Sequence, residues 1–398
     1  MTDLSFLSAP GMAAGFAAET RPRAHGAGID VHEYDRVTAP LESLLQWPDA
    51  CRAAALRHCA AAERAAERGH RRTAGERHRL AARWFHLGTL LPDPDRGRAA
   101  DLAAEADRAM GRSLALLEPQ ARRLSGDGYA GWLRLPQAGT EVDAGAGAGA
   151  GVRAGVGAGA GVEVGAGDAD GKRFPVVVVI PGMDSTKEEF HLLADALLAR
   201  GLAVLAIDGP GQGVMAAETS MSADGHRPAL ARALDALAAD GADGGRLDPE
   251  RVAVVGLSLG GYFAASVAAQ DARVRAAALV SGPYRLEWDA LVPFVTATLD
   301  RRCGGPEAAR RFADGIDLRA LAPYLDGPLL LVEGGEDRIP GVTNAEALSA
   351  HLPHAEVLHV PHGNHLLGNA LADWLPETAD WLADALLTKR QAERTANR

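Results

Sequence analysis

The 398 residues are 47% hydrophobic and 23% charged, which describes a folded soluble protein with length for two ordinary domains, or for one large α/β domain with an appendage. A formal charge of -11, from 41 Lys+Arg against 52 Asp+Glu, repels phosphate backbones and anionic lipid, so neither nucleic acid nor a membrane surface is an expected partner. Cys51, Cys59 and Cys303 are too few and too scattered for a disulfide framework or a zinc knuckle, and no leader or long uninterrupted apolar run is evident, so a cytoplasmic protein is expected.

Residues 1–40 read as an N-terminal extension. From 41 to 120 the chain is rich in Ala, Leu, Arg and Glu, and apolar residues such as Leu80, Trp84, Leu87 and Leu91 recur at helical spacing, which predicts a helical domain. The arginines of 64–83 are interleaved with Glu67 and Glu76 and follow Glu63, the pattern of solvated helix faces rather than of a basic patch. The two prolines of LPDPD at 91–95 interrupt the helices, and the next begins near Arg96.

After Leu117 come short strand-like runs, ARRLS at 121–125 and YAGWLRLP at 129–136, which set a boundary near residue 120. Residues 143–171 are almost wholly Gly, Ala and Val; such a tract buries too little to offset its ordering entropy, so a flexible insertion that lengthens a loop within one sheet is expected. From 175 to 387, apolar runs (VVVVI, LAVLAID, RVAVVG, VRAAALVSG, PLLLVEG, AEVLHVP) alternate with amphipathic helices, including one expected at 344–352 and a last one at 369–387. Strands apolar almost throughout require a parallel sheet covered on both faces, so 121–390 reads as a doubly wound α/β domain, with 391–398 as a tail.

Within that domain, Gly256-Leu257-Ser258-Leu259-Gly260 fits G-x-S-x-G, with strand RVAVV running in and helix GYFAASVAAQ running out. Small residues permit the sharp turn that exposes a serine hydroxyl above a sheet, so Ser258 is the candidate nucleophile. A serine needs an imidazole base oriented by a carboxylate, in the chain order Ser, acid, His. Asp337, in the loop after LLLVEG, is the candidate acid, with Glu336 and Glu333 as rivals. His365, after the turn residues Gly363 and Asn364, is the candidate base, with His362 in reserve and His359 read as structural. His362 and His365 lack a third ligand at fitting spacing, so no metal is expected, and no cofactor. Backbone N–H groups of Leu259, after the nucleophile, and Met183, after Gly182 in VVVVIPGMDSTKEEF, are the candidate oxyanion donors.

The segments IPGMDSTKEEF, AIDGPGQG and VVGLSLGGYFAASVAA with VRAAALVSGPY, and those around Asp337 and His365, resemble the α/β-hydrolases of the group holding FrsA-like esterases, 2,6-dihydroxypseudooxynicotine hydrolase and fungal polyketide-shortening hydrolases. The likeness extends over about residues 41 to 390, because QWPDACRAAALRH through RWFHLGTLLPDPDRGRAA is similar to that family's helical cap. The resemblance implies an α/β-hydrolase fold with an N-terminal helical cap domain, Ser258, Asp337 and His365 as a triad, Met183 and Leu259 as oxyanion donors, and a homodimer. The chain departs from the pattern at Val214, where similar proteins carry Glu after DGPGQG, and in the Gly/Ala tract.

The leading expectation is a serine hydrolase cleaving an ester, or a carbon–carbon bond next to a ketone, in a small or medium acyl substrate. A peptidase similar to the prolyl oligopeptidases is the enzymatic alternative, weakened because no propeller repeats precede the hydrolase part. A non-catalytic ligand-binding protein on the same fold is the other. Trp84, Phe85 and His86 occupy successive helix positions and cannot all face one way; Trp84 is expected in the helical core, and at least one of Phe85 and His86 is expected to face the substrate.

Overall fold

Val176, Val178 and Ile180 point to one face of a sheet, Val177 and Val179 point to the other, and both faces are buried. That is why the run FPVVVVI is apolar throughout rather than alternating. The computed structural model describes residues 3–137, 173–242 and 245–387; the expected insertion at 143–171 and the expected tail lie outside the described residues.

Five helices come first: α1 Met12–Gly26, α2 Val31–Thr38, α3 Trp47–Glu67, α4 Arg71–Leu87 and α5 Arg96–Leu117. Then follow β1 Arg122–Gly126, β2 Tyr129–Arg134, β3 Phe174–Ile180, α6 His191–Leu198, β4 Ala203–Asp208, α7 His226–Ala242, β5 Leu247–Leu257, α8 Leu259–Ala268 and β6 Val274–Val280. The chain continues through β7 Pro283–Leu286, α9 Pro293–Cys303, α10 Pro306–Asp314, β8 Leu329–Gly334, β9 Val342–Asn344, β10 Glu356–Val360 and α11 Leu371–Leu387. The eight-stranded sheet has the order β1-β2-β4-β3-β5-β6-β8-β10, parallel from β4 to β10 and antiparallel where β1 and β2 extend the edge.

On one face of the sheet, Leu230, Leu234 and Leu237 of α7, Phe263 of α8 and Leu299 of α9 pack against Val176, Val178 and Leu205. On the other, Leu193 and Leu197 of α6 and Trp374, Leu382 and Leu386 of α11 cover Val177, Val179 and Val204. The helix expected at 344–352 is instead a 3-10 turn over Ala345–Ala350, which follows directly on the short strand β9, paired antiparallel with β7. Val342 and Thr343 supply β-branched side chains for that small two-stranded sheet.

The helical region has its own core. Phe16, Tyr34, Trp47 and Trp84 cluster, with ring centroids 4.9 Å apart for Phe16–Trp47, 6.2 Å for Tyr34–Trp47 and 6.3 Å for Tyr34–Trp84. A fully buried aromatic of this kind removes ~150–250 Å² from water, an upper limit of about 4–6 kcal/mol for each ring at ~25 cal/mol per Å². Residues 3–40 pack into this same core, through Leu7, Ala13, Ala24, Ile29 and Tyr34. Asp30 caps α2, accepting from Glu33 N at 2.8 Å, and Asp95 caps α5, accepting from Gly97 N at 2.9 Å, directly after the two prolines that end the preceding segment.

Candidate active site

Strand β5 runs straight into α8, and the residue between them, Ser258, has φ 54° and ψ -129°, a conformation that a β-carbon strongly disfavours. The turn closes only because its flanks lack side chains: a Cβ on Gly256 would stand 2.0 Å from Gly260 O, and one on Gly260 would stand 2.2 Å from Ile180 O. Among the described residues, the non-glycine positions with positive φ are Ser258, Ser281, Leu366 and Leu367. Three of them, Ser258, Ser281 and Leu366, line one cavity, so backbone strain is concentrated there. The surrounding bonds hold it in place: Ser258 N donates to Val280 O at 2.8 Å, and Leu366 N donates to Ser281 Oγ at 3.0 Å.

Ser258 Oγ lies 3.0 Å from His365 Nε2, and His365 Nδ1 lies 2.8 Å from Asp337 Oδ2. An ionised carboxylate only accepts, so the ring proton sits on Nδ1 and the Nε2 lone pair faces the serine hydroxyl. The Asp337 side chain is 1% exposed and that of His365 28%, an arrangement that orients the imidazole from behind and leaves the rest of its ring partly open. Asn344 Nδ2 donates to Asp337 O at 3.1 Å, so β9 braces the loop that delivers the acid.

The other candidates stand elsewhere. His362 is exposed and faces Asp373 at 3.3 Å, and His359 lies 3.9 Å from Glu346. Glu336 is exposed, whereas Glu333 is buried at the end of β8; burial, with Asp337 and Glu346 nearby, pushes its carboxyl up to about 9. Glu333 is thus a neutral acid at pH 7 and not the ionised partner of His365.

Met183 and Leu259 both line the cavity beside Ser258, His365 and Leu366. The cavity holds about 520 Å³, and its wall is mostly apolar, with Phe16, Leu286, Phe294, Val295, Leu299 and Ile339. Phe16 of α1 and Phe294 of α9 approach with ring centroids 5.7 Å apart, so the helical region and the sheet region share this wall. Polar groups on it include Glu19, Thr20 and Arg23 of α1 and Arg338 beside Asp337. Val214 is not among the lining residues; its N–H donates to Asp208 Oδ2 at 3.2 Å.

Phe85 and His86 do not line the cavity, contrary to the expectation from helix position. Phe85 is buried in the helical core, and His86 is fully buried, with Nδ1 3.2 Å from Thr186 Oγ1 and Nε2 3.0 Å from Glu189 Oε2. The last turn of α4 is sandwiched between that core and the loop after β3, so both side chains find partners before they can reach substrate. The helical residues that do line the cavity, Met12, Gly15, Phe16, Glu19, Thr20 and Arg23, belong to the stretch read as an extension. Recurring at three and four positions, they mark one face of a helix, a signal diluted by the surrounding Ala and Gly and by Pro22.

Compared with known proteins, residues 171–304 match the family described as Hydrolase_4: Serine aminopeptidase, S33. Over 92% of its length the chain superposes on 96% of the solved 2,6-dihydroxy-pseudo-oxynicotine hydrolase, with a TM-score of 0.72 at 22% identity. The chain has the α/β-hydrolase fold. Among curated proteins similar to this chain, 2,6-dihydropseudooxynicotine hydrolase of Paenarthrobacter nicotinovorans is 27% identical over 229 residues, covering 56% of this chain and 60% of that protein. Hydrolase acrC of Aspergillus aculeatus is 40% identical over 119 residues, covering 29% of this chain and 27% of that protein. The chain thus spans from about a quarter to six-tenths of the length of these relatives. Among its described residues, no helix is long and apolar enough to cross a membrane.

Proposed function

We propose that this α/β-hydrolase is a serine hydrolase acting on a small or medium acyl compound through an acyl-enzyme on Ser258. The observation that carries the reading is the continuous relay from Asp337 through His365 to Ser258, at 2.8 and 3.0 Å, on the wall of an apolar cavity. His365 takes the serine proton as Oγ attacks the substrate carbonyl. The N–H groups of Leu259 and Met183 receive the developing oxyanion. Collapse of the tetrahedral adduct breaks the bond to the leaving group, which departs as an alcohol or a carbanion and takes the proton back from His365. Water, deprotonated by the same imidazole, then releases the acid. None of these steps calls for a metal or a cofactor.

The helical region, residues 3–117, acts as a cap in this reading, since α1 supplies part of the cavity wall. A wall of Phe, Leu, Val and Ile favours an apolar acyl group or an arylketone over a charged one. Both ester cleavage and cleavage of a carbon–carbon bond next to a ketone fit the relay. The proposal extends to a homodimer in the cytoplasm, where the unpaired thiols of Cys51, Cys59 and Cys303 would remain reduced.

The test is a panel of p-nitrophenyl esters, aryl β-diketones and aminoacyl p-nitroanilides, run on wild type and Ser258→Ala. Turnover of an ester or diketone that vanishes in the variant supports the reading. Preference for the anilides would move the assignment to a peptidase, and turnover of none of the three classes would favour a binding protein.

A further inference from the structure

The loop 181–190 leaves β3 for α6 and carries the Met183 N–H. It has little backbone bonding of its own: among the described residues, the backbone–backbone bond with both ends inside 181–189 is Glu189 N to Thr186 O. Side chains from elsewhere set its shape. Gln212, fully buried in the turn after β4, accepts from Gly209 N at 2.9 Å on Oε1, and its Nε2 donates to Pro181 O at 2.5 Å and to Gly182 O at 2.9 Å.

Gly182 O and Met183 N belong to the same peptide plane, in which C=O and N–H point in opposite directions. Holding the carbonyl toward Gln212 therefore turns the Met183 N–H away from Gln212. The same peptide is pressed against the nucleophile, since a Cβ on Gly182 would stand 3.0 Å from Ser258 Cβ.

On the other side of Met183, Asp184 is gripped by Arg23 of α1. Arg23 Nη1 donates to Asp184 Oδ2 at 2.8 Å, and Nη2 donates to Asp184 Oδ1 at 3.1 Å and to Ser185 Oγ at 2.9 Å. The same guanidinium reaches Glu189 from Nε at 2.6 Å and from Nη2 at 2.9 Å. Burial alone would raise the Glu189 carboxyl, but Arg23 and His86 hold it well below the usual carboxylate range. One planar fork thus spans both ends of the loop, a geometry that a lysine cannot reproduce.

We propose that Gln212 and Arg23 are positioning residues that jointly fix the direction of the Met183 N–H, one by holding the carbonyl of its own peptide and the other by holding the residue after it. The proposal rests on the acyl-transfer reading of Ser258. A donor aimed before the reaction needs no reorganisation when the oxyanion forms, so the two side chains act on the transition state and not on substrate binding. They also make α1 part of the catalytic apparatus and not merely a wall.

The test compares Gln212→Met, which keeps the volume and removes the donors, and Arg23→Lys, which keeps the charge and removes the fork, with wild type. Arg21→Ala is the control, a residue of the same helix that pairs with exposed Asp35. The readouts are kcat and KM for a p-nitrophenyl ester, Tm, and Ki for an alkyl trifluoromethyl ketone, whose tetrahedral adduct carries the oxyanion. Both variants are expected to lose about 10–100-fold in kcat and to bind the ketone more weakly by a similar factor, with KM within about threefold and Arg21→Ala unchanged. Values of kcat and Ki within about twofold of wild type in both variants would overturn the proposal, as would a loss confined to KM. Should Arg23→Lys fail to fold, Asp184→Asn, which keeps the shape and removes the charge facing Arg23, supplies the comparison at that end, and should Gln212→Met fail, Gln212→Leu supplies it at the other. Ser258→Ala in parallel separates the two levels. Wild-type turnover there removes the acyl-transfer reading itself, whereas loss there with intact Gln212 and Arg23 variants removes only this inference.

Discussion

Asp337 and His365 meet at 2.8 Å because the loops that carry them are zipped together by main-chain bonds: Gly335 N donates to Val360 O and Glu336 N donates to Gly363 O, each at 2.9 Å. The two side chains are thereby held at the ends of two adjacent parallel strands, β8 and β10. Both loops follow the carboxyl ends of strands, where the edge of such a sheet leaves a crevice.

If these three residues act as one unit, their losses do not add. Ser258→Ala and His365→Ala are each expected to lower kcat by about three to six decades, and the double variant to be no worse than either single one. His362→Ala, altering an exposed residue that faces only Asp373, is expected to stay near wild type. Steady-state kinetics on the four variants checks this; equal losses at His362 and His365 would contradict it.

The strained turn at Ser258 has no room for a β-carbon on either flank. Gly256→Ala and Gly260→Ala would place a methyl 2.0 and 2.2 Å from backbone oxygens, so each should destabilise by about 3 kcal/mol or more, or abolish folding. Chemical denaturation gives the value, and a loss below about 1 kcal/mol would mean that the elbow relaxes at little cost.

Glu333 makes stability depend on pH. Its carboxyl is raised to about 9 in the folded protein, chiefly by burial, against an ordinary 4.5. The folded state therefore holds this proton more tightly than the unfolded one does. The corresponding stability is fully present below pH 4.5 and is lost progressively as pH rises toward and through about 9. Glu333→Gln, neutral at every pH, should retain activity at pH 7 and lessen the fall in Tm between pH 7 and 9. An unchanged slope in the variant would show that this carboxyl is not the titrating group.

Substrate selectivity should follow α1, not the end of α4. Phe16→Ala is expected to change the ratio of kcat/KM between a bulky aryl ester and an acetyl ester by about 10–200-fold. Phe85→Ala is expected to cost about 3–5 kcal/mol of stability and leave the ratio unaltered. The reverse pattern would restore Phe85 to the pocket.

The doubly wound sheet was legible because a strand buried on both faces must be apolar at every position, as Val176–Ile180 is, and a serine between a strand and a helix with glycines at both flanks has few other uses. What distance in sequence conceals is how helices pack. Asp184 and Glu189 look like ordinary capping acids in PGMDSTKEE, and nothing local reveals that their common partner, Arg23, lies 161 and 166 positions earlier. The burial of His86 is illegible for the same reason, since helix periodicity gives the angle between side chains but not which neighbour each angle meets. Short elements were the other gap: three residues of β9 paired with β7 carry too little pattern to be told from a helix start.

The central claim is a covalent intermediate on Ser258, and trapping it tests that claim most directly. Wild type and Ser258→Ala would be treated with an alkyl fluorophosphonate, and the intact and digested proteins weighed by mass spectrometry. The account predicts one phosphonyl adduct per chain, on the peptide containing Ser258, with activity lost in step with labelling and no adduct in the variant. Labelling of another residue at the same rate, or an adduct on Ser258 that leaves turnover intact, would contradict it.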